Sequence, residues 1–188
     1  KIVKKKAKSC AAIVLEPCRD ELPKKNYLKE LRMIANKNNC ILIFDEITCA
    51  WRMQTSGAHK NFGVNPDIAV FGKTIANGIP MGAIIGKKNV MKFAAKTFIS
   101  SAFWTEKIGP ACSIAFIKKH KKLNLGKKLI LIGKEIKKIW QEAACNANLK
   151  IEIKGIDPLA SFKLLGLDWP TALTFFIQEM LKKGILAS

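Results

Sequence analysis

Hydrophobic positions along the chain fall into short unbroken apolar runs and longer stretches of helical spacing. "CAAIVLEP", Cys10 to Pro17, is an apolar run closed by Glu-Pro and predicts a buried strand. "PKKNYLKELRMIANKNN", Pro23 to Asn39, sets Tyr27, Leu28, Leu31 and Ile34 at helical spacing with lysines between them. It predicts a helix with Pro23 in its first turn. "CILIFDE", "PDIAVFG" (Pro66 to Gly72) and "MGAIIG" (Met81 to Gly86) predict three further strands. Strand, helix, strand, crossover and strand is the pattern of an α/β fold with a largely parallel sheet. Strands of such a sheet are covered on both faces, which accounts for apolar runs in place of alternation.

From Gly109 to about Ala147 the spacing is helical, with a break near "KLNLGKK", and Asn146 to Lys150 resemble a linker. "KIEIKG" and "ASFKLL" alternate and predict a half-buried antiparallel pair. "PTALTFFIQEMLKKG", Pro170 to Gly184, predicts a helix with Pro at its start and Gly at its end. Residues 1–146 are expected to belong to one α/β domain with a long connecting helix, and residues 147–188 to begin a second, smaller one. The absence of an initiator Met and the abrupt start just ahead of a strand suggest a piece of a longer protein.

Composition narrows the function classes. With 49% hydrophobic and 25% charged residues among 188, the chain reads as a soluble globular one, without a membrane-length apolar run or a signal peptide. The net charge of +19 raises nucleic-acid binding, but 30 of the 33 cationic residues are lysine. That is a bias spread over solvated faces; phosphate-gripping patches recruit Arg forks and aromatics. No nucleic-acid partner and no membrane partner are expected. Six cysteines, at 10, 18, 40, 49, 112 and 145, form no C-x-x-C pair, and His59 and His120 stand apart from them. No metal site is expected, Cys40 and Cys112 read as core residues, and free thiols suit a reducing cytoplasm.

The candidate chemistry lies at two strand ends. The run "ILIF" passes directly into Asp45 and Glu46, and in open α/β sheets ligands sit at the carboxyl ends of strands. A carboxylate there needs a cation or several donors. Ile47, two residues on, points to the same side if the strand continues, and acid plus aliphatic wall suits a flat cationic heterocycle. Lys73 stands at the end of the next strand beside Gly72, followed by Gly78, Pro80 and Gly82. A lysine in an apolar, partly desolvated pocket has a lowered pKa and attacks carbonyls. Taken singly, Asp45 is more often a helix cap or a surface ion pair, and one lysine among thirty says little. Together they form the lysine-plus-carboxylate constellation of a pyridoxal phosphate site.

"LIFDEITCAWR" followed by "GVNPDIAVFGKTIANGIPMGAIIG" resembles the class III pyridoxal-phosphate aminotransferases, and most of all the branch that includes glutamate-1-semialdehyde aminomutase. "FISSAFWTEKIGPACSIAFI", Phe98 to Ile117, is similar to the same family. The resemblance implies the type I fold of pyridoxal-phosphate transferases. Residues 1–146 would be the C-terminal part of the large cofactor domain and 147–188 the start of the small one. It implies pyridoxal 5'-phosphate as cofactor, with Lys73 as the catalytic lysine that joins it as an aldimine. Asp45 would pair with the pyridine nitrogen and Ile47 would pack on one ring face. Thr105 would reach the cofactor phosphate of a neighbouring subunit, so the site would be shared across a homodimer. Glu46 is expected to be structural, bonded to nearby backbone or to Arg52. Ala50 and Trp51 depart from the Gly and Phe usual in the family; Trp51 reads as packing or as a narrowing of the substrate entrance.

The family's phosphate loop and ring-stacking aromatic would lie upstream of residue 1, so this chain holds the lysine and the acid without the whole site. The expected activity is cytoplasmic amino-group transfer on a small amino acid or amino-aldehyde, between two substrates or within one. The alternative is an inactive remnant serving as a binding or scaffold protein. A nicotinamide-binding domain is disfavoured because no G-x-G-x-x-G follows a strand.

Overall fold

The computed structural model describes residues 2–187. A short helix α1 (Ile2–Lys6) leads into β1 (Ala12–Leu15), helix α2 (Tyr27–Lys37) and β2 (Ile41–Asp45). Strands β3 (Ile68–Phe71) and β4 (Ala83–Gly86) complete a four-stranded sheet in the order β1-β2-β3-β4. β1, β2 and β3 run parallel, while β4 is antiparallel to β3. The reversal has a local cause. The connection from Gly72 to Gly82 is too short for a parallel crossover, and it turns through Lys73, Asn77 and Gly78, all at positive φ. The β2-to-β3 connection is parallel but holds only turns and a single-turn helix at Ala58–Phe62.

Helix α2 begins at Tyr27, later than the proline-led start expected from sequence, because Asn26 adopts the left-handed conformation and turns the chain there. Its Leu28, Leu31 and Ala35 pack on Leu42 and Phe44 of β2. Burial alternates along β2: Leu42 and Phe44 are buried, while Ile41, Ile43 and Asp45 are half-buried. By the pleat, Asp45 therefore stands on the less covered face, and the two-sided burial expected of the sheet is not complete. A second cluster gathers Ala69 and Phe71 of β3 with Trp51, Ile75 and Phe116.

A short helix α3 (Lys88–Met91) follows, then α4 (Ile108–Leu123) and α5 (Leu125–Asn146), separated by Asn124 in the left-handed region. The predicted break is thus a single residue. Strands β5 (Ile151–Lys154) and β6 (Ser161–Leu164) form the expected antiparallel pair, and α6 (Trp169–Lys182) closes the chain. The pair is tied back to the front half. The amides of Gly155 and Ile156 donate to the carbonyls of Asp20 and Arg19, and Ile156 joins Cys18, Cys49 and Ala58 in a third core cluster. Cys40 is buried as expected, but Cys112 is only half-buried. Among the described residues no helix is long and apolar enough to cross a membrane.

The backbone of Asp157 lies directly against Gly133 of α5, where a Cβ would overlap its carbonyl. Lys137, one turn on, donates to the Gly155 carbonyl and to Asp157 Oδ1. Gly133→Ala is expected to push the 155–160 segment off the helix and cost about 1–3 kcal/mol, read as a lower urea midpoint.

Candidate functional site

Asp45 and Lys73 come from the carboxyl ends of two strands that are direct neighbours. Asp45 is opposite Val70 in the register, and Lys73 follows three residues later, beyond Gly72. Asp45 Oδ1 accepts the Ile47 amide at 3.0 Å, which turns the chain away from the sheet and leaves the second carboxylate oxygen without a hydrogen bond among the described residues. The Ile47 side chain lies over Gly72: a Cβ built there would sit 3.2 Å from Ile47 Cγ2. An aliphatic wall, a carboxylate and a primary amine thus follow the carboxyl ends of the two central strands, β2 and β3.

Lys73 has φ +47° and is exposed, in contrast to the desolvated setting expected from its apolar neighbours in sequence. Its Nζ donates to Thr48 Oγ1 at 2.9 Å. Thr48 also receives Arg52: its carbonyl accepts Arg52 Nε–H at 3.2 Å. Lys73 and Arg52 line one cleft of ≈ 580 Å³, whose far wall is Thr74, Asn77 and the Gly78–Met81 turn. Thr105 stands in an exposed turn ahead of α4 and does not line that cleft.

Behind the strand end, Glu46 is fully buried. Its Oε1 accepts the His59 amide at 2.9 Å and the His59 ring Nδ1–H at 2.7 Å; its Oε2 accepts the Ala58 amide at 2.7 Å and the Cys49 thiol at 3.3 Å. Burial raises its pKa, but the His59 ring, the two amides and the thiol together outweigh burial and hold the carboxyl below its ordinary value. Hydrogen bonding to Cys18, burial and the Glu46 charge push the Cys49 thiol far up, so it stays protonated. Glu46 is therefore backbone-bonded, as the sequence suggests, but Arg52 is not its partner. His59 takes that place. Nothing in the spacing of His59 from Glu46 reveals the pairing, which depends on how the intervening loop folds back.

Trp51 is buried at φ +66° and packs against Phe71, Phe116 and His120. His120 Nε2–H donates to the Trp51 carbonyl at 2.8 Å, and its Nδ1 accepts the Thr55 hydroxyl at 2.7 Å. Trp51 is thus packing that fastens the loop after β2 to α4, and it does not line the Lys73 cleft.

Comparisons with known proteins bear on the family and the fold. The family model Aminotransferase class-III matches residues 1–187. The chain is 37% identical over 136 residues to 3-aminobutyryl-CoA aminotransferase of Cloacimonas acidaminovorans, covering 68% of this chain and 32% of that protein. It is 30% identical over 162 residues to glutamate-1-semialdehyde 2,1-aminomutase of Methanosarcina acetivorans, covering 82% of this chain and 38% of that protein. Among solved structures, the PLP internal aldimine form of the FumI protein of Sphingopyxis sp. MTA144 superposes with a TM-score of 0.88 at 19% identity. It covers all of this chain and 47% of that one. A β-phenylalanine aminotransferase from Variovorax paradoxus gives 0.83 at 20% identity, with 100% and 47% covered. The chain spans about a third of the length of the curated relatives it matches and about half of the solved chains. By its sequence, this chain belongs to the class-III aminotransferases.

Proposed function

We propose that this chain carries the lysine-bearing part of an enzyme that transfers amino groups with pyridoxal 5'-phosphate. The observation that supports this most is the placement of Asp45 and Lys73 after adjacent strand ends, with Ile47 lying over Gly72. The donor set fits the cofactor: an anion for a pyridinium nitrogen, a primary amine for an aldehyde, and an aliphatic face for a flat ring. When bound, the cofactor supplies an electron sink that lets a proton leave the substrate carbon bearing the amino group.

Asp45 supplies the fixed negative charge, oriented by the Ile47 amide. Ile47 excludes water from one side of the ring. Lys73 supplies the binding amine and, when its amine is free, the base that moves the substrate proton; in this structure the Thr48 hydroxyl holds that amine at the strand end. Thr105, exposed ahead of α4, would serve the cofactor phosphate of a neighbouring subunit in a homodimer. Residues 147–188 would open the small domain. Substrates on this reading are small amino acids or amino-aldehydes handled in the cytoplasm.

The test is chemical trapping. The protein is incubated with pyridoxal phosphate, reduced with borohydride and digested, and modified lysines are located by mass spectrometry. Preferential labelling of Lys73 among the 30 lysines, lost in Asp45→Ala, is expected. Labelling scattered without preference for Lys73 overturns the reading.

A further inference from the structure

Among the described residues, Lys73 alone of the lysines gives its amine to a hydroxyl: Nζ donates to Thr48 Oγ1 at 2.9 Å. Five lysines elsewhere pair with carboxylates, and Lys60 donates to the Asn65 side-chain carbonyl. The difference is chemical. A carboxylate partner favours the ammonium form, which cannot attack a carbonyl; a hydroxyl aims an amine and adds no charge. The Lys73 backbone is also constrained, at φ +47°, a region that long side chains seldom adopt. The other non-glycine residues found there are five asparagines and Trp51.

Thr48 is itself fixed in place. It lies in the turn that the Ala50 amide closes on the Glu46 carbonyl at 3.0 Å, between Ile47, whose amide Asp45 accepts, and the fully buried Cys49. Its carbonyl accepts Arg52 Nε–H at 3.2 Å. Its hydroxyl meets no partner but Lys73 among the described residues. The stretch from Asp45 to Thr48 thus supplies the acid, the aliphatic wall and the post to which the amine is tied.

We propose that Thr48 is a positioning residue that acts through Lys73, holding the free amine so that it meets an aldehyde from one direction. The inference rests on the reading of Lys73 given above and adds the group that aims it. When the neutral amine joins an aldehyde, Lys73 gives up two hydrogens, which leave as water with the aldehyde oxygen; Thr48 gives up none. Its contribution is orientation, so any side chain that keeps the hydroxyl keeps the effect.

The test uses the whole 188-residue chain and two labels, each located by mass spectrometry. One is borohydride trapping with pyridoxal phosphate; the other is acetylation by acetic anhydride without cofactor, which needs an exposed amine but no fixed direction. Thr48→Val is expected to lower trapping at Lys73, relative to the other lysines, by about 3- to 10-fold, the worth of one neutral hydrogen bond. Thr48→Ser is expected to restore it, and acetylation of Lys73 is expected not to fall in either variant. Circular dichroism checks the fold, and Thr48→Ala carries the comparison if Thr48→Val does not fold. Undiminished trapping in Thr48→Val, or no rescue by Thr48→Ser, overturns the assignment. So does acetylation that falls in step with trapping, because Lys73 has then lost exposure and not direction. If the unsubstituted chain traps Lys73 and Thr48→Val does so equally, only this inference fails. If the unsubstituted chain shows no preference for Lys73, the parent reading fails and this one with it.

Discussion

Glu46→Ala lowers the stability of the fold by about 3–5 kcal/mol, read as a fall in the urea midpoint. The size follows from what is left behind. The Ala58 and His59 amides and the His59 ring lose their shared acceptor in a site closed to water. A loss of that size is a large part of the total stability of an ordinary domain. Glu46→Gln keeps the shape but turns an NH2 group toward donors, so an intermediate loss is expected. The same carboxylate predicts an acid limb. Its folded pKa lies below its ordinary 4.5, so the unfolded chain takes up the proton first. Its stabilisation is complete above about 4.5 and is lost as pH falls through the lower folded value. Asp67 behaves likewise below its ordinary 3.8: burial raises its pKa, but the Leu42 amide, Lys87 and Arg32 outweigh that. Urea midpoints between pH 6 and 3 should fall in the unsubstituted chain and less in Glu46→Gln, which keeps the Asp67 limb.

The second large effect falls on cofactor retention. Asp45→Ala is expected to weaken pyridoxal phosphate binding by about 10- to 100-fold in a fluorescence titration, the worth of one charge-assisted hydrogen bond. Asp45→Asn separates two roles of the side chain. Asparagine still accepts the Ile47 amide and so preserves the turn after β2, but it carries no charge. A loss in Asp45→Asn matching that in Asp45→Ala assigns the effect to charge. Asparagine binding as well as aspartate would make Asp45 a turn residue and remove it from the cofactor site.

The elements that sequence reveals best are those whose burial is continuous. The runs at Ile41–Phe44 and Ile68–Phe71 are strands because nothing else buries that many apolar residues in so short a span. The β5–β6 pair is legible from alternation alone. The direction of β4 is not written in its own residues; it follows from the short Gly72–Gly82 connection, whose length was a readable signal. Likewise, Pro23 marks a place where a helix is permitted, while the left-handed Asn26 sets where it begins. Asp45 and Lys73 were legible because strand ends are fixed by the runs they close. The pairing of His59 with Glu46 and the shared use of Thr48 by Lys73 and Arg52 were not. Both depend on how residues 47–59 fold back, and that path is set by burying Trp51 and closing Glu46, not by local preference.

Asp67 gives the sheet an asymmetry with a mechanical consequence. It sits where β3 begins. One oxygen takes the Leu42 amide and Arg32 of α2, and the other takes Lys87 just beyond β4. Backbone bonds from Asp67 to Leu42 and from Lys87 to Asp67 close the same end. Three strands and a helix are therefore riveted at the end of the sheet remote from Asp45 and Lys73. At the opposite end, β2 and β3 are joined beyond their ladder by the Glu46 amide, the lie of Ile47 on Gly72, one lysine–threonine bond and the packing of Trp51 on Phe71. The sheet is built like a bound book: ion pairs fix the spine, and the amine and the acid stand at the open side of the leaves.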